Sequence, residues 1–295
     1  MIRKIGFVLI LAAAAAVAQD QPSAGRGGRG GGGRGGPPNL MTQQVKPGLF
    51  MISGAGANTE VRVTDDGLIV VDGKLAGDQN YNALMDQIKM ISTQPIKYII
   101  ITHHHADHAG NDDKFLAAGV QVVANENFNK NLVNYQVNPK PAPANVTYAR
   151  DYVIKLGGVE VQAHHFGNAH TSGDTVVYFP DLRVVAVSDE VTSGATGPLA
   201  DYAGGGSFAE WPQTLDAVLK LDFDTAIPGN GNPISKADVQ AYRNKVALFV
   251  SRAREAARSG VAKDQLMSQI KTDDLGWMPR VPNVNPFWEE ISKTQ

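Results

Sequence analysis

Residues 102 to 111 read THHHADHAGN, which places four of the chain's seven histidines and an aspartate in one short segment. Within it, His103, His105, Asp107 and His108 form the pattern H-x-H-x-D-H. Side chains two residues apart in a near-extended segment point the same way, so His103 and His105 can share one metal ion while Asp107 and His108 address a second position. His104 then points opposite to its neighbours. The plain alternative is a polar loop of solvated histidines, and the Asp-His pair at fixed offsets argues against it. The chain has no cysteine. Any ion must therefore be held by histidine, carboxylate or amide groups, and no thiolate is available as a nucleophile.

Two later stretches add to this pattern. In FGNAHTSGDTVVYFP, His170 stands between a glycine-bearing turn and a strand, and in VVAVSDEV, Asp189 ends a buried strand. Alone, each reads as a structural histidine or a solvated turn acid; their order after H-x-H-x-D-H gives them weight. Residues 103 to 108, 167 to 174 and 189 together resemble the metallo-β-lactamase fold superfamily of metallohydrolases, and the resemblance covers about residues 45 to 257.

That resemblance implies a mixed α/β (α+β) fold, a four-layer αββα sandwich with its site at the edge of the two sheets. It implies that His103, His105 and His170 hold a first zinc ion, that Asp107 and His108 hold a second, and that Asp189 bridges them or belongs mainly to the second. One block departs from the pattern. Ile227-Pro228-Gly229-Asn230-Gly231 carries asparagine where the family usually has its last histidine, in a P-G-H-like segment. An amide oxygen is a weaker zinc ligand than imidazole. Three outcomes follow: a weak second zinc on Asp107, His108 and Asp189 with Asn230 a weak or replaced ligand, a single-zinc protein, or recruitment of His104 or His165. His164 alternates with His165 along a strand and faces away.

With no cysteine and no G-x-S-x-G elbow, the available chemistry is metal-assisted attack by water. Zinc on three histidines lowers the pKa of bound water from about 15.7 to about 7, giving hydroxide at neutral pH. Asp107 is the candidate catalytic residue, orienting that hydroxide and later carrying a proton. The expectation is a zinc-dependent hydrolase, with one or two Zn2+ per chain, acting on a small-molecule carbonyl substrate: an amide such as a β-lactam, a lactone, an ester or a thioester. Asn230 counts against the β-lactam, because members that hydrolyse β-lactams usually keep the last histidine. The alternatives are a non-catalytic zinc-binding protein of the same fold and a phosphodiesterase.

These residues must be positioned by regular elements. Leu49 to Ser53, Val61 to Thr64 and Leu68 to Asp72 read as strands, with a turn at Asp65-Asp66-Gly67. Tyr81, Leu84, Met85, Ile88 and Ile91 fall at helical spacing after Asp78, a candidate N-cap. The run Tyr98-Ile99-Ile100-Ile101 suits an interior strand that delivers the histidine cluster. Val120 to Ala124, Val159 to Ala163, Thr175 to Phe179 and Val184 to Val187 read as strands, and 125 to 134 as a helix. Ser207 with Glu210 and Pro212 suggests a capping box opening a helix, as do Ser235 and Asp238 before a long helix over 236 to 258. Tyr202, Phe208 and Trp211 read either as pocket lining or, with more weight, as core, while the 54 to 56 turn with Asn58 and Thr59 reads as a flap beside the site.

At 295 residues and 43% hydrophobic content, the chain can bury a sizeable core. Arg3 and Lys4 precede an apolar stretch from Ile5 to Ala16 and a small-x-small end, so residues 1 to 18 read as a signal peptide. That stretch is shorter than the roughly 20 residues needed to span a bilayer, and no later segment is long enough, so the mature chain has no expected transmembrane segment. Residues 19 to 44 read as a Gly/Arg/Pro-rich flexible linker, and residues 45 to 295 as the metallohydrolase domain. The location implied is periplasmic or secreted. Residues 1 to 38 hold Arg3, Lys4, Arg26, Arg29 and Arg34 against Asp20, a net +4, so an overall charge of -2 leaves -6 on the rest. A mildly acidic domain without a basic stripe argues against nucleic acid as a partner, and so against the phosphodiesterase.

Overall fold

Residues 38–193 and 196–293 are described by a computed structural model. The expected signal peptide, and the expected linker up to residue 37, lie outside the described residues. Strands β1 (Met41–Lys46), β2 (Leu49–Ser53), β3 (Thr59–Thr64), β4 (Gly67–Val71), β5 (Ile96–Ile100), β6 (Gln121–Asn125) and β7 (Val146–Tyr148) lie side by side in that order. The first four pair antiparallel, and β4 to β7 run parallel. A second sheet holds β8 (Asp151–Leu156), β9 (Val159–His164), β10 (Val176–Phe179), β11 (Val184–Ser188), β12 (Thr225–Pro228) and β13 (Ile234–Ser235), with only β11 and β12 parallel.

Strand alternation explains why both sheets are buried on two faces. In β4, Ile69 and Val71 pack between the sheets while Leu68 and Val70 pack outward under helices. In β11, Val184 and Ala186 face the other sheet, and Val185 and Val187 face outward. A period of two with both positions apolar is what a doubly covered strand requires. Helices α1 (Asp78–Ile91), α2 (Ala106–Ala109), α3 (Asp112–Ala117) and α4 (Glu126–Asn134) follow strands of the first sheet, whose outer face buries Leu84, Ile88, Phe115 and Phe128. Helices α5 (Trp211–Val218), α6 (Lys236–Arg258), α7 (Leu266–Gln269) and α8 (Val284–Lys293) supply the cover of the second sheet through Leu215, Val246, Leu266 and Phe287. The layers are thus helix, sheet, sheet, helix, as expected. Among the described residues, no helix is long and apolar enough to cross a membrane.

Some boundaries differ from the sequence reading. The folded region begins before residue 45: β1 starts at Met41 and pairs with β2. Its first four side chains are exposed. A strand bare on both faces carries no apolar period, so it reads as linker. The cap of α1 is Gly77 at φ 123°, and Asp78 is the first helical residue. Helix α5 begins at Trp211, four residues after Ser207, whose hydroxyl accepts from the Glu210 amide in the preceding turn. The Ser235–Asp238 capping box on α6 is present in full.

A buried lysine ties the chain near the site together, with a buried carboxyl on the same part of the sheet. Lys74 is fully buried and its Nζ donates to the Ile52 and Ala57 carbonyls, each at 2.5 Å. Burial lowers Lys74 to about 7 and raises Glu60, on β3, to about 8. Glu60 therefore keeps a proton in the folded chain that the unfolded chain releases above its ordinary value of 4.5. Its contribution to stability is full below that value and is lost as pH rises through about 8. Urea unfolding at pH 5 and at pH 8 should show the wild type losing a few kcal/mol relative to Glu60→Gln; identical pH dependence in the two proteins would contradict this assignment.

Candidate metal centre

The site gathers at the C-terminal ends of strands. After β5 the chain bends at His103 and His104 and is extended again at His105, which stands at the N-cap of α2 with φ −67° and ψ 145°. The rings of His103 and His105 nevertheless meet, with His103 Nε2 3.1 Å from His105 Nδ1. The turn of α2, with the His108 amide donating to the His105 carbonyl, swings His108 beside them. His170 arrives on the loop before β10, held by Thr171, whose amide and hydroxyl both donate to Asp174. Its Nε2 is 2.9 Å from His105 Nδ1.

The partners of each ring fix its tautomer. His170 Nδ1 donates to the Leu199 carbonyl at 2.6 Å, and His105 Nε2 donates to Asp201 Oδ2 at 2.9 Å. The Thr102 hydroxyl gives its proton to Asp72 Oδ2 at 2.8 Å, so at 3.2 Å it accepts from His103 Nδ1. Each imidazole thus spends its proton outward and turns a bare lone pair inward. Burial holds His103 and His170 well below their ordinary pKa, which keeps them neutral. His105 Nδ1 lies within hydrogen-bonding distance of both His103 Nε2 and His170 Nε2, and a divalent cation among the three nitrogens takes the place of any proton there. A donor set of three imidazole nitrogens suits zinc.

A second group adjoins the first. His108 Nδ1 donates to Asp72 Oδ2 at 2.7 Å, leaving Nε2 buried without a hydrogen-bond partner. That nitrogen is 3.8 Å from Asp107 Oδ2 and 3.7 Å from Asp189 Oδ1. The other oxygen of Asp189 is 3.7 Å from His170 Nε2, so this carboxylate spans both groups. Burial opposes a charged imidazole, but Asp72, Asp107 and Asp189 outweigh it and raise His108 to about 10. A cation bound here takes the place of that proton. The backbone bends sharply to make the arrangement: Asp72 and Ser188 stand at φ 59° and 47°, a conformation that costs non-glycine residues about 1–3 kcal/mol each.

The fourth block is held in place from the opposite sheet. Asn58 donates from its amide side chain to the Pro228 and Gly231 carbonyls, each at 2.9 Å, and its backbone amide donates to the Gly229 carbonyl. It is 3% exposed, and Thr59 lies within β3, so the expected flap is instead a brace. At Gly229 a Cβ would fall 2.0 Å from Asp189 Oδ1, which explains the glycine. Asn230 itself is exposed, and its carbonyl accepts from the Ser193 hydroxyl.

Neither proposed substitute joins the His108 group. His165 Nδ1 donates to the Asp174 carbonyl, and His104 turns toward Asp201 at 3.5 Å. His164 is engaged with Asp151 and Gln162, facing away as the alternation requires. His104, His105 and Asp201 also come close together, but Gly204 packs against His104 so tightly that a Cβ there would lie 2.5 Å from its Cε1. Phe208 and Trp211 are fully buried and belong to the core; Tyr202 packs partly buried against the same cluster.

Sequence reasoning missed Asp72 and Asp201. Asp72 had a signal: like Asp189, it is an acid at the end of a buried strand. Asp201 sits in a loop rich in small residues and had none. Burial favours the neutral carboxyl, yet hydrogen bonds from His104 and His105 hold Asp201 far below the usual range. Groups that orient a metal-binding histidine typically change affinity 10- to 100-fold when removed. Asp201→Ala should therefore weaken binding of a divalent metal by about that factor in competition with a chromophoric chelator; an unchanged dissociation constant would contradict the orienting role.

Comparison with known proteins places the fold and the family. The chain is 26% identical over 231 residues to the 2,4-dinitroanisole O-demethylase subunit alpha of Nocardioides sp. (strain JS1661), covering 77% of this chain and 68% of that one. It is 28% identical over 186 residues to metallo-beta-lactamase IND-1 of Chryseobacterium indologenes, covering 62% and 75% respectively. Among solved structures, a metallo-beta-lactamase from Pontibacter korlensis shares the fold with a TM-score of 0.63 at 19% identity, over 71% of this chain and 99% of the other. The family profile described as the metallo-beta-lactamase superfamily matches residues 55–230, a stretch that runs from the Asn58 brace through every histidine of the site to Asn230, and this chain belongs to that superfamily.

Proposed function

We propose that this protein is an exported, zinc-dependent hydrolase of a small carbonyl substrate, with residues 1–18 serving as its signal peptide and the periplasm or exterior as its location. The observation that carries the reading is the convergence of three outward-tethered imidazoles on one point. His103, His105 and His170 would hold the first zinc, and His108, Asp107 and Asp189 a second. Bound zinc supplies Lewis acidity and makes water nucleophilic at neutral pH.

The chain's own residues do the rest. Asp107, with its side chain 40% exposed beside the buried His108, is the group able to accept a proton from water and return it to a leaving group at its carboxylate. Asp189 reaches toward both histidine groups and keeps them in fixed relation. Asp72 orients His108, and the Leu199 carbonyl and Asp201 orient His170 and His105. Amides including β-lactams, lactones, esters and thioesters share the polarised carbonyl this set can attack. The relatives named above carry the names of an O-demethylase and a β-lactamase, so likeness alone does not choose among leaving groups.

Asn230 makes the two positions unequal, because an exposed amide replaces a charged or imidazole donor. The metal-free protein, loaded stoichiometrically, should take one zinc tightly and a second weakly, and Asn230→His should raise the second affinity. Turnover across lactone, ester, thioester and β-lactam panels should fall at least 1,000-fold, on the order expected when a metal's chemistry is lost, in His105→Ala and His170→Ala. Activity that survives both substitutions, or tight zinc binding without turnover of any of these substrates, would overturn the hydrolase reading.

A further inference from the structure

The orienting groups of the metal centre lie on one short segment. Leu199 gives its carbonyl to His170 Nδ1, and Asp201 gives its carboxylate to His105 Nε2. The segment is stitched to the site from within as well: the Asp201 amide donates to the His170 carbonyl at 2.8 Å, and the Ser207 amide to the Ala169 carbonyl at 2.9 Å. Its other side is held by the end of the chain, beyond the region that matches the family profile.

On the N-terminal side, Leu199 forms an isolated parallel bridge with Arg280. The Arg280 amide donates to the Pro198 carbonyl at 2.8 Å, and its Nε donates to the Gly197 carbonyl at 3.2 Å. The chains touch so closely that a Cβ on Gly197 would lie 1.7 Å from the Met278 carbonyl oxygen. On the C-terminal side, Glu290 of α8 accepts from the Tyr202 hydroxyl at 2.6 Å and from the Ser207 hydroxyl. Helix α8 is seated by Phe287, whose ring stacks on Phe249 at 5.3 Å and meets Phe208 edge-on at 5.4 Å. Leu199 and Asp201 are therefore bracketed on both sides by residues 280 and 290.

We infer that residues 277–293 form a clamp that sets the metal affinity of the three-histidine group, with Arg280 and Glu290 as positioning residues acting through Leu199 and Asp201. The inference rests on the zinc reading above. Two features distinguish it from ordinary packing. The clamp grips the segment through polar bonds at Gly197 and Tyr202, two and one positions from Leu199 and Asp201, and again at Ser207, so it holds from both directions. A displacement of a few tenths of an ångström at Leu199 or Asp201 turns two imidazoles at once, because each is fixed by a single outward hydrogen bond. Metal affinity is more sensitive to such turns than overall stability is.

The test is zinc affinity by competition with a chromophoric chelator in the full-length protein, with the visible spectrum of the cobalt-substituted protein recorded alongside. Glu290→Ala should weaken zinc about 10-fold or more and shift the cobalt d–d bands, and Glu290→Gln should recover part of that loss. Tyr202→Phe, which removes one bond and leaves the helix in place, gives a smaller change in the same direction and stands in if Glu290→Ala does not fold. Ser235→Ala, a cap loss remote from the clamp, serves as the stability control and should leave zinc affinity unchanged. The clamp is overturned if folded Glu290→Ala and Tyr202→Phe bind zinc within twofold of wild type, or if Ser235→Ala weakens zinc equally. A wild type that binds no zinc would instead overturn the zinc reading itself, so the two failures are distinguishable.

Discussion

The arrangement of the whole site depends on one electrostatic constraint: three imidazole nitrogens gathered at one point, with His105 Nδ1 3.1 Å from His103 Nε2 and 2.9 Å from His170 Nε2. Each ring has an outward acceptor for one of its nitrogens, which leaves the other nitrogen of each directed at the shared point. The outward acceptors are therefore as much a part of the centre as the nitrogens. They come from widely separated parts of the chain: Thr102 backed by Asp72, the Leu199 carbonyl, and the Asp201 carboxylate. A fold that brings these together must bury them, and burial in turn keeps His103 and His170 neutral.

The sandwich meets that requirement by ending several strands at one edge. The chain leaves β4 at Asp72, β5 at Thr102 and β11 at Ser188, and the ends of β4 and β11 are marked by left-handed backbone at non-glycine residues. Such backbone persists only when surrounding bonds over-determine it. Asp72 shows how: its amide donates to the Ile100 carbonyl, and its carboxylate takes the Thr102 amide, the Thr102 hydroxyl and His108. The strain at the strand end and the orientation of His108 are thus two consequences of one cluster of bonds. Close approach at Gly229 works similarly, because only a residue without a Cβ lets β12 pass beside Asp189.

Much of this was legible in the sequence because the relevant signals are local. The two-residue spacing of His103 and His105, the β-branched run before them and the short apolar runs of β4 and β11 are each contained within fewer than ten residues. What escaped was non-local or unpatterned. Asn58 read as a flap because a glycine-rich turn precedes it, whereas its amide reaches across to a turn some 170 residues away. Strand β1 is exposed on both faces and so lacks a period. The role of Leu199 lies in a carbonyl that every residue possesses, and no side-chain pattern can announce it. Asn230 is the reverse case: the substitution is plain in the sequence, and the structure adds that the turn bearing it is firmly held and its side chain exposed.

The central claim is that three imidazoles share one ion. X-ray absorption at the zinc edge, on protein loaded with a single equivalent, reads that directly, because imidazole rings give outer-shell scattering that carboxylates and water do not. The account predicts a four-coordinate first shell of nitrogen and oxygen with three imidazoles. A first shell of oxygen donors with one imidazole or none would contradict it.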